Sequence, residues 1–473
     1  MTVVVGRLVR LRKSFLVDHQ IDLAAMKAEL TIRGTSISDF GSREPLITYR
    51  ERGDYIYVPK AFGLNFAKEL EYTFSRIDHA GDAINVSFAG RLRDNQVQPV
   101  QDTIEALRAT EGAVMHMYCG FGKTTCCNFV TCSLQLKTLV LVHSTSLLEQ
   151  WKQRIECFVT GASVGIIRQD AFDVAGRTHV IGLMQSICKR EYPPHSFASF
   201  GLTVIDGCHH VCADNLSKCL QKAGSRYRLG LSATPYRKDG FTPFLFQAVG
   251  AISCTIDRDH TTQEMDVHGV QLEVGPDAVH YVRRLGKQSI NIARMITDLT
   301  EHDHRTALIA RCVHRHASSG RQVMLLSDRR EHLRAIDAQL ASEQGSAYTT
   351  SFMVGGVSTE AMRVAETATV IFATYAYASE GVDVPSLDTV VFATPRVDVV
   401  QTTGRILRKH DDKHKPLVVD FVDPFSLFKN QFTKRLRYYK KLGAQVTYMD
   451  QHLNELHQKR KTEDRKEQAY AFL

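Results

Sequence analysis

The feature that most restricts how this chain folds is a rhythm of short apolar runs separated by segments of helical periodicity. Residues 113–118, 138–143, 178–184, 202–206 and 227–232 form one series, and 322–327, 369–375, 389–394 and 416–422 form a second. Continuous apolar runs this short, bounded by turn residues, are how strands of a parallel sheet read when both faces are covered. Helices between such strands make right-handed crossovers. The expected fold is therefore α/β, with two parallel-sheet domains in tandem over 91–258 and 259–446 and a seam near 255–265. Residues 1–90 carry β-rich runs at 46–49 and 54–58 about a turn at Glu51-Arg-Gly, and another at 83–88. They name no chemistry and are expected to form a small α+β accessory domain. Residues 250–290 read as less regular, and 447–473 as a basic polar tail.

At 473 residues and 44% hydrophobic, the chain can bury a separate core in each domain. It contains no run of about 18 apolar residues, so no membrane partner is expected. The start, Met1-Thr-Val-Val-Val-Gly-Arg, does not resemble a secretory signal, and none of the eleven cysteines falls in a C-x-x-C pair. A reducing, intracellular location is the expectation. The net charge of +8 is compatible with a polyanionic partner without being evidence for one.

Chemistry enters at Cys119-Gly-Phe-Gly-Lys-Thr-Thr125, between the first apolar run and a segment able to form a helix. Glycines there let backbone N–H groups turn inward around phosphate oxygens, and the helix N-terminus adds a favourable dipole. Lys123 would reach the β- and γ-phosphates, and Thr124 would ligate Mg2+. The full G-x-x-x-x-G-K-[ST] pattern asks for glycine at 117, where this chain has Met117. Asp206, ending the apolar run 202–206, stands where a carboxylate serving Mg2+ belongs in such a fold.

These residues join a longer series. Asp206-Gly-Cys-His209 and Leu231-Ser-Ala-Thr-Pro235 resemble the D-E-x-H and S-A-T motifs of superfamily 2 helicases. Residues 139–152 resemble motif Ia, Gly182-Leu-Met-Gln-Ser-Ile187 the nucleic-acid motif after it, and Leu92-Arg-Asp-Asn-Gln96 the upstream adenine-reading element. Ala378-Ser-Glu-Gly-Val-Asp-Val-Pro385 is similar to motif V, and Gln401-Thr-Thr-Gly-Arg-Ile-Leu-Arg408 matches motif VI in full. Residues 227–240 look like the XPB-type branch. The runs 320–332 and 354–358 resemble helicases of large DNA viruses, including the poxvirus transcript-release type, and related phage repair helicases.

The resemblance implies two RecA-like domains with ATP between them and nucleic acid across both. It implies that Gln96 reads adenine, that Gly120, Gly122, Lys123, Thr124 and Thr125 cradle phosphates, and that Thr124 and Asp206 hold Mg2+. Arg405 and Arg408 would reach the γ-phosphate with help from Gln401, and Gly381 and Asp383 would couple nucleotide to strand. His143, Ser144, Gln185, Ser186, His209, Ser232, Thr234, Ser327, Arg329 and Thr374 would contact nucleic acid or relay its presence. Implied partners are DNA, duplex or single-stranded, also RNA, and transcription or repair proteins. The implied polarity is 3′ to 5′, and the implied setting, for a viral protein, is host cytoplasm or virion.

One position departs from the family. Glutamate follows the metal-binding aspartate there and acts on the attacking water, whereas this chain has Gly207. A general base contributes about 10²–10⁴-fold. An engineered replacement, a natural ATP-binding clamp and a base supplied by a neighbour are three readings of that glycine. The alternative to a helicase or translocase is thus a module that uses ATP, without hydrolysis, to switch DNA affinity.

Cys208, His209, His210 and Cys212 lack zinc-knuckle spacing. Cys119, Cys126 and Cys127 read as small core residues, and Trp151, the single tryptophan, as core of the motif Ia helix. In 429–441, Lys and Arg interleave with Phe432, Tyr438 and Tyr439. This segment reads equally as a duplex-phosphate contact and as a solvated amphipathic helix.

Overall fold

The computed structural model describes residues 3–5, 8–34, 45–70, 75–76, 80–193, 195–208, 213–236, 240–257, 265–273, 281–284, 287–343, 348–355, 364–380, 384–407 and 414–456. The chain falls into two compact units, 1–258 and 259–473.

The main sheet of the first unit has eight strands. In spatial order they are Ala171–Phe172, Val164–Arg168, His179–Leu183, Thr138–Val142, Leu202–Asp206, Tyr227–Ser232, Gly112–Met117 and Ala251–Ile256. All neighbours run parallel except the outermost pair. Alternate side chains enter two separate cores. Met115, Met117, Val140, Val142 and Val204 pack with Val100, Cys126, Val130, Leu148 and Trp151 from the helices Asp94–Thr110, Lys123–Leu134 and Thr145–Phe158. Val114, Leu139, Leu141 and Ile205 face the opposite way, against Ile187, Leu216, Cys219 and Leu245. Burial on both faces explains why these strands read as unbroken apolar runs. All the parallel strands deliver their carboxyl ends to one edge, where an α/β sheet binds ligands.

A five-stranded sheet lies N-terminal to this one, in the order Arg50–Arg52, Tyr55–Pro59, Leu8–Arg12, Val3–Val5, Ser75–Arg76. The hairpin turn falls at Gly53-Asp54, not at Glu51-Arg-Gly. Gly53 adopts φ 57°, so Glu51 and Arg52 remain in the strand. The helix Lys60–Glu69 joins this sheet to the larger one through a buried cluster. Lys60 Nζ donates to the Arg226 carbonyl at 2.9 Å and lies 3.3 Å from Glu111, which Arg226 also meets at 3.1 Å. Of 83–88 only Ser87–Phe88 is strand. Ala83 bridges to Leu136, and the Gln135 side chain holds both the N–H and the C=O of Val86.

The second unit has a seven-stranded parallel sheet in the order Thr350–Met353, Val370–Thr374, Val323–Ser327, Thr389–Phe392, Leu417–Val422, Asp266–Gln271, Gln445–Met449. Two charged pairs are buried in it, each bidentate. Arg305 meets Asp423 at 2.7 and 3.1 Å, and Arg435 meets Asp420 at 2.7 and 2.8 Å. The basic helix ends at Lys441 and is followed by the edge strand Gln445–Met449, so the sheet continues into the segment expected to be tail.

Candidate nucleotide and nucleic-acid site

The phosphate loop leaves the strand Gly112–Met117 and enters the helix Lys123–Leu134. Met117 is the last strand residue and is fully buried, so the departure from the glycine pattern is absorbed by the core. Gly120 and Gly122 take φ 91° and 98°, conformations other residues resist. A Cβ on Gly122 would lie 2.7 Å from the Gln96 amide nitrogen. Lys123 Nζ donates to the carbonyls of Met117 at 3.1 Å and Tyr118 at 3.3 Å, over the strand end where a phosphate would sit. Thr124 and Thr125 are half-buried in the first helical turn.

Gln96 is a brace of this loop. It is 2% exposed, donates to the Phe121 carbonyl at 2.8 Å and accepts from the Arg93 N–H at 2.9 Å. The Arg93 guanidinium donates to the same Phe121 carbonyl. The adenine contact implied for Gln96 would have to exchange these bonds.

Asp206 ends its strand two positions across the sheet from the loop strand, with Tyr227–Ser232 between them. Sequence reasoning missed its partner: Trp151 Nε1 donates to Asp206 Oδ2 at 2.8 Å. Trp151 is 1% exposed, so it is core as expected, but its polar edge faces the carboxylate. Burial pushes the Cys127 thiol well up, and the Asp206 charge adds to the rise. Cys126 is likewise buried and pushed up to about 12 by burial, as suits a small core residue. The oxygen donors of Asp206 and Thr124 are the hard type that Mg2+ takes. With the positive-φ glycines and Lys123, they fit a magnesium–triphosphate.

Gly207 turns left-handed directly after Asp206, at φ 63°. His209 lies outside the described residues. Ser232 is buried, and its hydroxyl accepts from the Thr234 N–H at 3.0 Å. Another unforeseen link joins this segment to the loop strand: His116 Nε2 donates to the Ala233 carbonyl at 3.2 Å. Ser144 caps the helix Thr145–Phe158 beside half-buried His143. Gln185 is exposed, and Ser186 accepts from the Gln169 N–H at 2.9 Å.

In the second unit Ser327 is fully buried, with its hydroxyl 3.0 Å from His332 Nδ1 and accepting from the Arg329 N–H at 3.2 Å. Its hydroxyl is thus engaged inside the unit, away from the surface, which leaves of the two implied roles the relay rather than direct contact. Arg329 donates to the Ala293 carbonyl at 3.2 Å and Thr297 Oγ1 at 3.3 Å, tying its strand end to the helix Ile292–Thr300. Thr374 ends its strand and accepts from the Tyr377 N–H at 3.4 Å. Arg405 is half-buried on the helix Val400–Ile406, which also carries Gln401 in its backbone. Gly381, Asp383 and Arg408, and the Gln401 side chain, lie outside the described residues.

Residues 89–237 match the family described as type III restriction enzyme, res subunit. A protein of Acanthamoeba polyphaga mimivirus named as an ATP-dependent RNA helicase is 28% identical over 439 residues, covering 90% of this chain and 83% of its own length. One of African swine fever virus bearing the same kind of name is 25% identical over 422 residues, covering 84% and 82%. The structure of Saccharomyces cerevisiae Dbp5 bound to RNA and ADP BeF3 shares the fold, with TM-score 0.50 and 14% identity, over 80% of this chain and 98% of that one. No described helix is long and apolar enough to cross a membrane. The loop, the strand-end aspartate and the motif series thus sit in a chain that is similar to proteins of large DNA viruses that are named as helicases.

Proposed function

We propose that this chain is a nucleic-acid-dependent ATPase that uses ATP binding and turnover to translocate on or open DNA during viral transcription, repair or recombination. The observation that carries the reading is the phosphate loop, with left-handed glycines leading into Lys123, beside a strand-end carboxylate held by Trp151. Lys123, Thr124, Thr125 and the loop N–H groups would bind the triphosphate, and Thr124 and Asp206 would hold Mg2+. That ion, when bound, neutralises charge on the phosphates. Arg405 and Arg408 are the candidate groups for the γ-phosphate, since guanidinium donors match its oxygens and its shifting charge. Gln401, Gly381 and Asp383 would serve the same nucleotide. His116, through Ala233, offers a route from loop strand to the S-A-T segment.

Gly207 favours a second reading. A residue without a side chain takes no proton, and the Asp206-Gly207 corner is the family's position for the base. On this reading ATP binding alone switches DNA affinity.

ATP turnover measured with single-stranded DNA, duplex DNA and RNA, on this chain and on Lys123→Ala, separates the readings. Stimulated turnover lost in Lys123→Ala supports the motor, with the best stimulant naming its track. ATP-dependent DNA affinity without turnover supports the switch. A chain that neither binds nor hydrolyses ATP refutes both.

A further inference from the structure

The helix Ser426–Lys441 closes the sheet of the second unit and is fixed in rotation by its inner face. Phe428, Phe432, Arg435 and Tyr439 are all buried. Arg435 grips Asp420 with two bonds, and the Tyr439 hydroxyl donates to the same carboxylate at 2.9 Å. Arg435, although basic, is thus an internal ion-pair partner and cannot touch a ligand. The other five cations, Lys429, Lys434, Arg437, Lys440 and Lys441, are all exposed. At about 100° per residue they fall within an arc of about 140°, opposite the buried arc.

No acid occurs anywhere in 426–441, and among the described residues none of the five cations has an ion pair. Arg437 lies at i+3 or i+4 from Lys434, Lys440 and Lys441. Such like-charge pairs each cost a few tenths of a kcal/mol in a helix. The macrodipole favours Lys440 and Lys441 in the last turn, but it gives no support to Lys429 or Lys434. An external anion relieves the whole set. From Lys429 to Lys441 the row is about 18 Å long at 1.5 Å per residue, the reach of several successive phosphates.

We propose that this face lies along the phosphate backbone of a duplex nucleic acid and grips it without reading sequence. This deepens the reading above, on which it rests for the class of ligand. A single strand is the poorer fit, because generic single-strand binding relies on bases stacking on aromatic rings. Here Phe428, Phe432 and Tyr439 are buried, and Tyr438 is half-buried with its hydroxyl donating to the Val400 carbonyl at 3.3 Å. A membrane surface fits no better, because the apolar face that would insert is already packed on the sheet.

The test uses the full chain and a variant carrying Lys429→Gln, Lys434→Gln, Arg437→Gln, Lys440→Gln and Lys441→Gln. All five positions are exposed, so circular dichroism and melting should match wild type. Affinity for a 25-base-pair DNA duplex and for one of its strands is read by anisotropy across a salt series. Each lost phosphate contact should flatten the duplex log–log slope by about 0.9, up to about 4.5 for five. The single-strand slope should change by less than one contact, and turnover of ATP without nucleic acid should not move. An unchanged duplex slope in a chain that does bind duplex overturns this face alone. Equal flattening for duplex and single strand overturns the duplex preference. Wild-type chain that binds neither DNA overturns the functional reading beneath it.

Discussion

Replacing Gly207 separates two consequences that a single activity assay would merge. Its backbone is left-handed at φ 63°, so any Cβ there costs about 1–2 kcal/mol. Gly207→Ala adds that strain without a carboxylate, and Gly207→Glu adds the strain with one. For a unit of this size about 1 kcal/mol moves the melting temperature by about 2–4 °C. Both variants should therefore melt about 2–8 °C below wild type by calorimetry. Turnover should divide them. If the missing base limits hydrolysis, the glutamate restores about 10²–10⁴-fold, or about 2.7–5.4 kcal/mol of barrier, which exceeds the strain. DNA-stimulated ATPase at saturating ATP should then rise in Gly207→Glu and not in Gly207→Ala. Equal turnover in the two variants would refute the base argument. Melting unchanged in both would refute the strained corner.

Three further outcomes follow from buried groups. Trp151→Phe keeps a ring in the core and removes the only N–H reaching Asp206 among the described residues; half-saturation of nucleotide binding by Mg2+ should rise about 10-fold or more, as loss of a ligand's hydrogen-bonded support does, and a change in stability alone would make Trp151 merely structural. Arg435→Ala strands the buried Asp420 charge and should cost the second unit about 3–5 kcal/mol in urea unfolding, while Arg435→Met with Asp420→Leu should recover most of it; equal losses would show that packing, not charge, matters there. Burial holds the His179 ring down to about 4 and His332 to about 3, so each is neutral when folded and takes a proton when unfolded. Stability is then full above about pH 6.5 and falls by about 1.4 kcal/mol per pH unit per ring as pH drops toward those values; denaturant midpoints that stay flat from pH 7 to 5 would contradict it.

The two sheets were legible because their central strands are apolar on both faces. Leu202–Asp206 and Tyr227–Ser232 are read from sequence with the bounds they have in the structure, since each apolar run stops where the strand does. Asp266–Gln271 was not legible. Its own Asp, His, Gly and Gln break the apolar run, and its place in the sheet comes from pairing with Leu417–Val422 and Gln445–Met449, far away in the chain. Gln96 shows the limit of a motif: the family resemblance implied adenine, yet only the folded loop reveals that both ends of its amide are engaged within the protein.

The charged residues carry a signal that periodicity alone could have supplied. Arg435 lies in phase with Phe428, Phe432 and Tyr439 on the buried side of its helix, and Asp420 lies inside the apolar strand Leu417–Val422. A charge in an apolar phase on one element calls for its opposite in an apolar phase on another, because an unpaired buried charge is too costly to keep. Arg305 and Asp423 obey the same logic. Asp206 does not. It stands at the end of an equally apolar strand, yet its hydrogen-bond donor among the described residues is the neutral indole of Trp151 rather than an arginine. Among the described residues, the fold pairs Asp420 and Asp423 with arginines and gives Asp206 a neutral donor. A carboxylate oriented without a cationic partner among the described residues, at a strand end near a loop shaped for phosphate, is the arrangement a divalent cation would use, and that contrast supports the magnesium role proposed for Asp206.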